Sequence, residues 1–415
     1  MKEKIFSFID NSVSLAVELE TELTRRPAIS PESGGEGELD KCLFLESWLK
    51  AHGITRLQRY DAPDKRAKGG VRPNLVATIP GKADVSRLWI MSHIDVVPPG
   101  EASLWKSDPW TVIQKDGGDG RGPRLIGRGV EDNQQGLTSS VLAALALVKQ
   151  EITPAHTVKL LFAADEENGS IYGIDWLIKN VPDLFNKNDM ILVPDGGDPA
   201  GETIEIAEKN LVWVKFSTIG AQAHGSRPDQ GINAHLAGAE LAVRLHEELS
   251  KKFSDHDPLF EPDYSTFQPT KKEANVPNIN TIPGDDVFYM DMRILPRYPV
   301  KTVLTEIDRI KTEVEAKHRV KISYTLPQRQ ESKSTSPDAP LVKLLSGVVK
   351  EVYQVDTRLI GIGGGTVGAY LRNTGLDSVV WSRMDDTAHQ PNEYALISHI
   401  LGDAKVMALL MIAGL

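Results

Sequence analysis

The stretch Leu88-Trp89-Ile90-Met91-Ser92-His93-Ile94-Asp95 carries a short apolar run into a histidine and a carboxylate two residues apart. An apolar run of this length reads as a buried strand. In open α/β sheets the functional crevice lies beyond the carboxyl ends of the strands, and an imidazole oriented by a nearby carboxylate is poised to ligate a metal. The same arrangement, an apolar run followed by an acid or a histidine, recurs three times downstream. LLFAADEENGS leads to Glu166 and Glu167, ILVPDGG to Asp195, and VVWSRMDDTAHQPNEY to His389.

Outward from that stretch, apolar runs at 74–79, 88–91, 158–164 and 190–193 read as strands, separated by helical stretches such as 137–149. The alternation predicts an α/β fold with a mostly parallel sheet. Beyond Lys209 the order becomes strand 211–219, helix 233–251, paired strands 278–282 and 287–295, helix 300–317 and strand 320–326. That is a ferredoxin-like βαββαβ unit. The polar segment 327–340 reads as a linker back to the first domain, where helix 341–352, a glycine loop at 361–365 and strand 378–381 would complete the sheet. The expected organisation is a first domain in two parts, 1–208 and 328–415, with an inserted domain at 209–327.

At 415 residues, with 40% hydrophobic and 25% charged content, the chain is too long for one simple core. Its formal net charge of −10 offers no electrostatic footprint for nucleic acid or an anionic membrane, which leaves a small-molecule or peptide substrate. Cys42 is the only cysteine, so an intrachain disulfide framework and a thiolate-rich metal site are both excluded. Any metal must be held by His, Asp and Glu. The first 23 residues carry acids throughout and read as an amphipathic helix, not a signal peptide. No run approaches a membrane span, and a cytoplasmic protein is the expectation.

In GRGVEDNQQG, Asp132 lies just before the helix expected from Leu137, where a carboxylate faces a cation naturally as a bridging ligand. Glu166 and Glu167 are neighbours in an extended turn and point different ways, so one can bind metal while the other handles a proton. Together with His93, Asp195 and His389 they give two histidines, three carboxylate ligands and one spare glutamate. Oxygen and imidazole donors without sulfur fit two zinc ions per chain, with cobalt or manganese as substitutes. Two divalent ions against Asp132, Glu167 and Asp195 leave nominally one positive charge, which would strongly acidify a bound water. Glu166, outside the ligand set, is then placed to take that proton and deliver it to a leaving amine.

The segments SHIDVVP, GRGVEDNQQG, DEENGS, VPDGG, AHGSRPDQGINA, NINTIPG, DMRILP, GGGTVG and AHQPNEY, in this order along nearly the whole chain, resemble a family of co-catalytic zinc peptidases and deacylases. Its members include acetylornithine deacetylase, succinyl-diaminopimelate desuccinylase, carboxypeptidase G and carnosine-type dipeptidases. The resemblance implies one metal on His93, Asp132 and Asp195 and another on Asp132, Glu167 and His389, with Asp95 orienting His93 and Glu166 as base. It also implies that the inserted domain is a lid and dimerisation domain. From it, His224 would reach the partner subunit's site in a homodimer and stabilise the oxyanion. Asn280 and Arg293, with the backbone of Gly364, Gly365 and Thr366, would hold the substrate's carboxylate or acyl end. Two departures stand out. Asn133-Gln134-Gln135-Gly136 lacks the positive charge that many members carry after the bridging aspartate. At Asp195, deacylases and carboxypeptidases of the family usually place Glu, whereas dipeptidases and aminopeptidases place Asp.

The expected activity is hydrolysis of the amide bond of dipeptides or N-acyl amino acids by a dinuclear metallohydrolase. Alternatives are an N-succinyl or N-acetyl amino acid deacylase of the lysine or arginine biosynthesis type, a carbamoyl-amide hydrolase, and a metal-binding protein without turnover. The glycines at 361–365 are followed by no Lys-Ser/Thr pair, so they read as a tight substrate-facing turn and not a phosphate cradle. His52, His246, His256, His318 and His399 lack ligand partners nearby and read as surface residues, and Trp105 and Trp110 as packed against the domain.

Overall fold

In the computed structural model, which describes residues 1–414, the run around Trp89 is the buried half of the strand Ala83–His93. It pairs in parallel with His156–Ala163 on one side and Met190–Asp198 on the other. A parallel strand covered on both faces needs apolar residues at every position, which is why this run shows no alternation. Its register against Met190–Asp198 is pinned by the Asp189 carboxylate, which accepts from Arg87 Nη2 and from Trp89 Nε1, each at 2.7 Å.

Eight strands form this sheet in the order Leu57–Pro63, Val71–Ile79, His156–Ala163, Ala83–His93, Met190–Asp198, Asp377–Arg383, Thr203–Glu208 and Arg358–Ile362. The central four run parallel and the first two antiparallel, so the fold is mixed α/β with a mainly parallel centre. Helix Gln134–Lys149, buried from Gln134 to Leu147, packs with the apolar helix Ile397–Ile412. The amino-terminal segment forms two helices, Lys2–Asp10 and Val13–Thr24, where the sequence suggested one.

The chain divides into two units, one made of 1–206, 335–359 and 370–415, the other of 207–334 and 360–369. In the second, strands Asn210–Ile219, Thr266–Lys272, Asp285–Ile294 and Lys321–Gln330 alternate with helices Ala234–Lys252 and Val300–His318 as βαββαβ. The four strands form an antiparallel sheet in the order Thr266–Lys272, Asp285–Ile294, Asn210–Ile219, Lys321–Gln330. Burial alternates strictly along Asp285–Ile294, so Phe288, Met290 and Met292 meet Leu241, Leu245, Ile307 and Ile310 of the two helices.

Three sequence expectations are corrected here. The partner of Asp285–Ile294 is Thr266–Lys272, not 278–282; Thr281–Ile282 pairs instead with Ala223–His224. TFQPTKK is polar and mostly exposed because it is an edge strand, where proline is tolerated and no second face is buried. The stretch 328–415 does not return whole to the first unit. Strand Lys321–Gln330 runs four residues into the supposed linker, and residues 360–369 cluster with the second unit. The reason is local bonding: Lys209 N donates to Ile362 O at 2.9 Å, Thr366 Oγ1 to Glu208 Oε1 at 2.6 Å, and Arg293 Nη1 to Gly363 O at 2.6 Å. Finally, His399 is not on the surface; it is buried on Ile397–Ile412. Trp105 is buried, with its indole N–H donating to Pro99 O, and Trp110 is half-buried. Among the described residues no helix is long and apolar enough to cross a membrane.

Candidate metal centre

All the sequence-derived ligands lie in the first unit, and the fold brings them together at the carboxyl ends of the parallel strands. His93 ends Ala83–His93, Asp195 lies in Met190–Asp198, and Glu166 and Glu167 form a short turn after His156–Ala163. Asp132 stands two residues before helix Gln134–Lys149. Gly136, in the first turn of that helix, allows a close approach: a Cβ there would lie 2.4 Å from Pro194 O, beside Asp195.

Asp132 is the centre of the arrangement. Its Oδ1 lies 2.9 Å from His93 Nε2 and its Oδ2 3.0 Å from His389 Nε2. His93 Nε2 is also 3.6 Å from Asp195 Oδ1, and His389 Nε2 is 3.1 Å from Glu167 Oε2. On the other edge of the His93 ring, Nδ1 is 3.0 Å from Asp95 O and 3.3 Å from Asp95 Oδ1, which fixes the ring plane. Asp95 does more than the sequence suggested. Its two carboxylate oxygens accept the backbone N–H groups of Glu166 and Glu167, each at 3.1 Å, and so hold the turn of these two glutamates in place.

The electrostatics follow from four carboxylates and two imidazoles at contact distance. Burial by itself would lower His93, but the Asp195 charge and hydrogen bonds with Asp132, Asp195 and Asp95 carry its imidazole well above the usual range. Hydrogen bonds to Asp132 and Glu167 push His389 up to about 10. Burial opposes the ionisation of Asp132, yet the two histidines hold it well below the ordinary carboxylate range. Burial and the charges of Asp195, Glu167 and Asp132 push Glu166 well above that range; burial takes Glu167 to about 7 and also raises Asp195. The two imidazoles thus stand among crowded acids, whose mutual repulsion cations in the site would relieve.

The residues fit divalent ions. Around a tetrahedral ion with bonds near 2.0–2.1 Å, donor atoms stand about 3.3 Å apart, and the four histidine–carboxylate separations run from 2.9 to 3.6 Å. Two overlapping triplets, His93 with Glu166 and Asp195, and His93 with Asp132 and Glu167, each have ligand atoms within 4.8 Å of one another. Glu167 Oε1 is buried without a hydrogen-bond partner, an acceptor that a bound cation would satisfy.

Three residues of the centre were missed in the sequence. Asn133 Nδ2 donates to Asp195 Oδ1 at 2.6 Å and to Pro194 O at 2.7 Å, so an amide supports Asp195 in the stretch where the sequence lacks a positive charge. Glu393 and Glu131, both buried, accept the backbone N–H groups of the loops that bear Asp132 and His389. The only signal for them was an acid beside a ligand or inside AHQPNEY.

In the second unit, taken by itself, His224 is exposed on the short ribbon with Thr281–Ile282, its Nδ1 2.8 Å from Ser226 Oγ. Asn280 lies in the turn that leads into Thr281–Ile282, where its backbone carbonyl accepts from Gly225 N at 2.6 Å. Arg293 meets the glycine loop through Gly363 O, next to Gly364, Gly365 and Thr366.

Residues 89–413 match peptidase family M20/M25/M40. An uncharacterized metallohydrolase of Methanococcus maripaludis is 39% identical over 409 residues, covering 94% of this chain and 97% of that protein. A succinyl-diaminopimelate desuccinylase of Nautilia profundicola is 25% identical over 381 residues, covering 91% and 93%. Among solved structures, the aminopeptidase PepT from Bacillus cereus aligns with a TM-score of 0.75 at 16% identity over 96% of this chain and 98% of that one, a likeness of fold.

Proposed function

Because the chain belongs to the M20/M25/M40 peptidase family and is a metallohydrolase of amide bonds, we propose that it works with two divalent ions, zinc foremost, and that its substrates are dipeptides. The observation that carries the two-ion reading is Asp132, whose two oxygens each face a different histidine. His93, Asp132 and Asp195 would hold one ion, and Asp132, Glu167 and His389 the other. Bound there, the ions supply Lewis acidity toward the scissile carbonyl and lower the pKa of water.

The chain's own groups do the rest. Glu166, held by Asp95 through its backbone and absent from both proposed ligand sets, takes a proton from the attacking water on one carboxylate oxygen and passes it to the leaving amine nitrogen. His224, contributed by a second copy of the chain, would donate to the oxyanion, while Arg293, Asn280 and the backbone of Gly364, Gly365 and Thr366 would bind the substrate's carboxylate end.

The choice of dipeptides rests on Asp195. It is one methylene shorter than Glu and is held back by Asn133 Nδ2, a geometry that in this family accompanies substrates with a free α-amine. N-acyl amino acids are the second reading, favoured by the desuccinylase among the relatives. Purified protein should carry close to two transition-metal ions per chain, lose activity to a chelator and regain it with zinc or cobalt. Hydrolysis of a broad dipeptide panel beside N-acetyl, N-succinyl and ureido compounds then decides the class. Faster turnover of any N-acyl amino acid than of every dipeptide would overturn the dipeptide assignment, and one ion per chain after reconstitution would overturn the dinuclear one.

A further inference from the structure

The two halves of the metal centre are built differently. His93 and Asp195 belong to neighbouring parallel strands whose ladders fix their backbones. His389 sits in a loop between Asp377–Arg383 and Tyr394–Leu396, and three non-glycine residues of that loop, Asp386, His389 and Asn392, have φ of 58°, 63° and 62°. Side chains resist this left-handed conformation, so a loop holds three such residues only when its surroundings dictate it.

Two buried carboxylates do so. Glu393, at the far end of the His389 loop, accepts from Arg128 Nη1 at 2.6 Å and from the backbone N–H groups of Gly129, Glu131 and Asp132 at 2.9, 2.9 and 3.1 Å. It thereby shapes the loop that presents Asp132. Glu131, in that same loop, reaches the opposite way. It accepts from Asp385 N at 2.8 Å, from Thr387 N, and from Thr387 Oγ1 at 2.7 Å. Thr387 Oγ1 in turn accepts Tyr394 N at 3.1 Å, closing the neck of the His389 loop. Each ligand loop is therefore moulded by a carboxylate of the other, and neither carboxylate touches His93 or Asp195 in any of these bonds.

Resting on the two-ion reading above, we propose that Glu131 and Glu393 are positioning residues that form a reciprocal clamp, and that Glu131 sets the affinity of the ion on His389 and Glu167 independently of the ion on His93 and Asp195. The clamp works through geometry. It fixes the separation of Asp132 Oδ2 and His389 Nε2, so the ion meets preassembled donors and does not have to order the loop on binding. Partners of this kind are worth about 10–100-fold in metal affinity when removed.

The test is competition of zinc against a chromophoric chelator, with full-length protein first stripped of metal. Wild type should give two dissociation constants, and His389→Ala should abolish one of them, which assigns the two. Glu131→Gln keeps the shape but turns an amide N–H₂ toward N–H donors. It should weaken the constant assigned to His389 by about 10–100-fold and leave the other within about twofold. Added to His389→Ala, it should leave the remaining constant unchanged, because distant effects would be additive and shared ones are not. Thr387→Val removes one hydroxyl from the clamp and should shift the same constant in the same direction by less. It decides the matter if Glu131→Gln does not fold, which the melting temperature of the metal-free protein reports. Equal weakening of both constants, or no weakening by a folded variant, overturns the clamp. A wild type that binds fewer than two ions overturns the two-ion reading instead.

Discussion

The two units of this chain carry functional groups in opposite settings. In the first, every proposed ligand and the base are tied to at least one other group of the cluster. His93 is 3% exposed, and Asp132 contacts both histidines. In the second, His224 stands exposed on a two-residue ribbon and Asn280 in the turn leading into it, and among the described residues the His224 ring bonds to Ser226 alone. His93 is buried, Asp132, Glu166, Glu167 and Asp195 are partly buried, and only His389 of the set is exposed. Titratable groups withdrawn from water must be compensated where they stand, so the acids and imidazoles of the first set are paired with one another. Exposed groups with spare bonding capacity keep it for something that arrives. This contrast accords with the proposal that the first unit holds the ions and the second meets the substrate.

The largest expected effect would break the comparison at its buried side. Glu166→Gln preserves shape and removes the base, so kcat should fall by about two to four orders of magnitude with metal content unchanged. Glu167→Gln should shed one ion. Metal loss in the first variant and not in the second would show the roles to be reversed.

That the two glutamates can be told apart at all was legible in the sequence, because neighbours in a turn point different ways. The parallel sheet was legible for a similar reason: a strand buried on both faces, such as the one around Trp89, has no choice but continuous apolar residues. The edge strand Thr266–Lys272 was not, since it buries almost nothing and carries Pro269. Nor was the clamp, because Glu131 and Glu393 look like solvated acids until the fold brings residues 262 positions apart together. The proposed ligands were read from local pattern. Their supports depend on tertiary contacts that leave no local trace.

The next effect probes the exposed side. If His224 donates to the oxyanion across a dimer, His224→Ala should lower kcat by about two to three decades, the scale of losing one such donor, while metal content and oligomeric state hold. Mixed with Glu166→Gln chains, each inactive alone, it should recover part of the activity, because one site of each mixed dimer then has a sound base and a sound histidine. No recovery after proven subunit exchange would place the action of His224 within its own chain or remove it from the mechanism.

The smallest effect separates burial from charge inside the first unit, and it leaves catalysis alone. His399 is 3% exposed, as deep as His93, but burial and the nearby Arg383 and Arg121 cations take its imidazole down to about 4 where carboxylates raise that of His93. With an unfolded value near 6.5, the folded state favours the neutral ring. Its contribution is therefore complete above about pH 6.5 and is lost as the pH falls toward 4. At about 1.4 kcal/mol per unit of pKa, the loss reaches about 3 kcal/mol. His399→Asn cannot take up that proton. Its unfolding free energy should fall less steeply than the wild type's between pH 6.5 and 4, while kcat at pH 7.5 stays within about twofold. Parallel stability curves for the two proteins would mean that His399 is already protonated in the fold, and that the Asp385 charge outweighs burial and the two arginines.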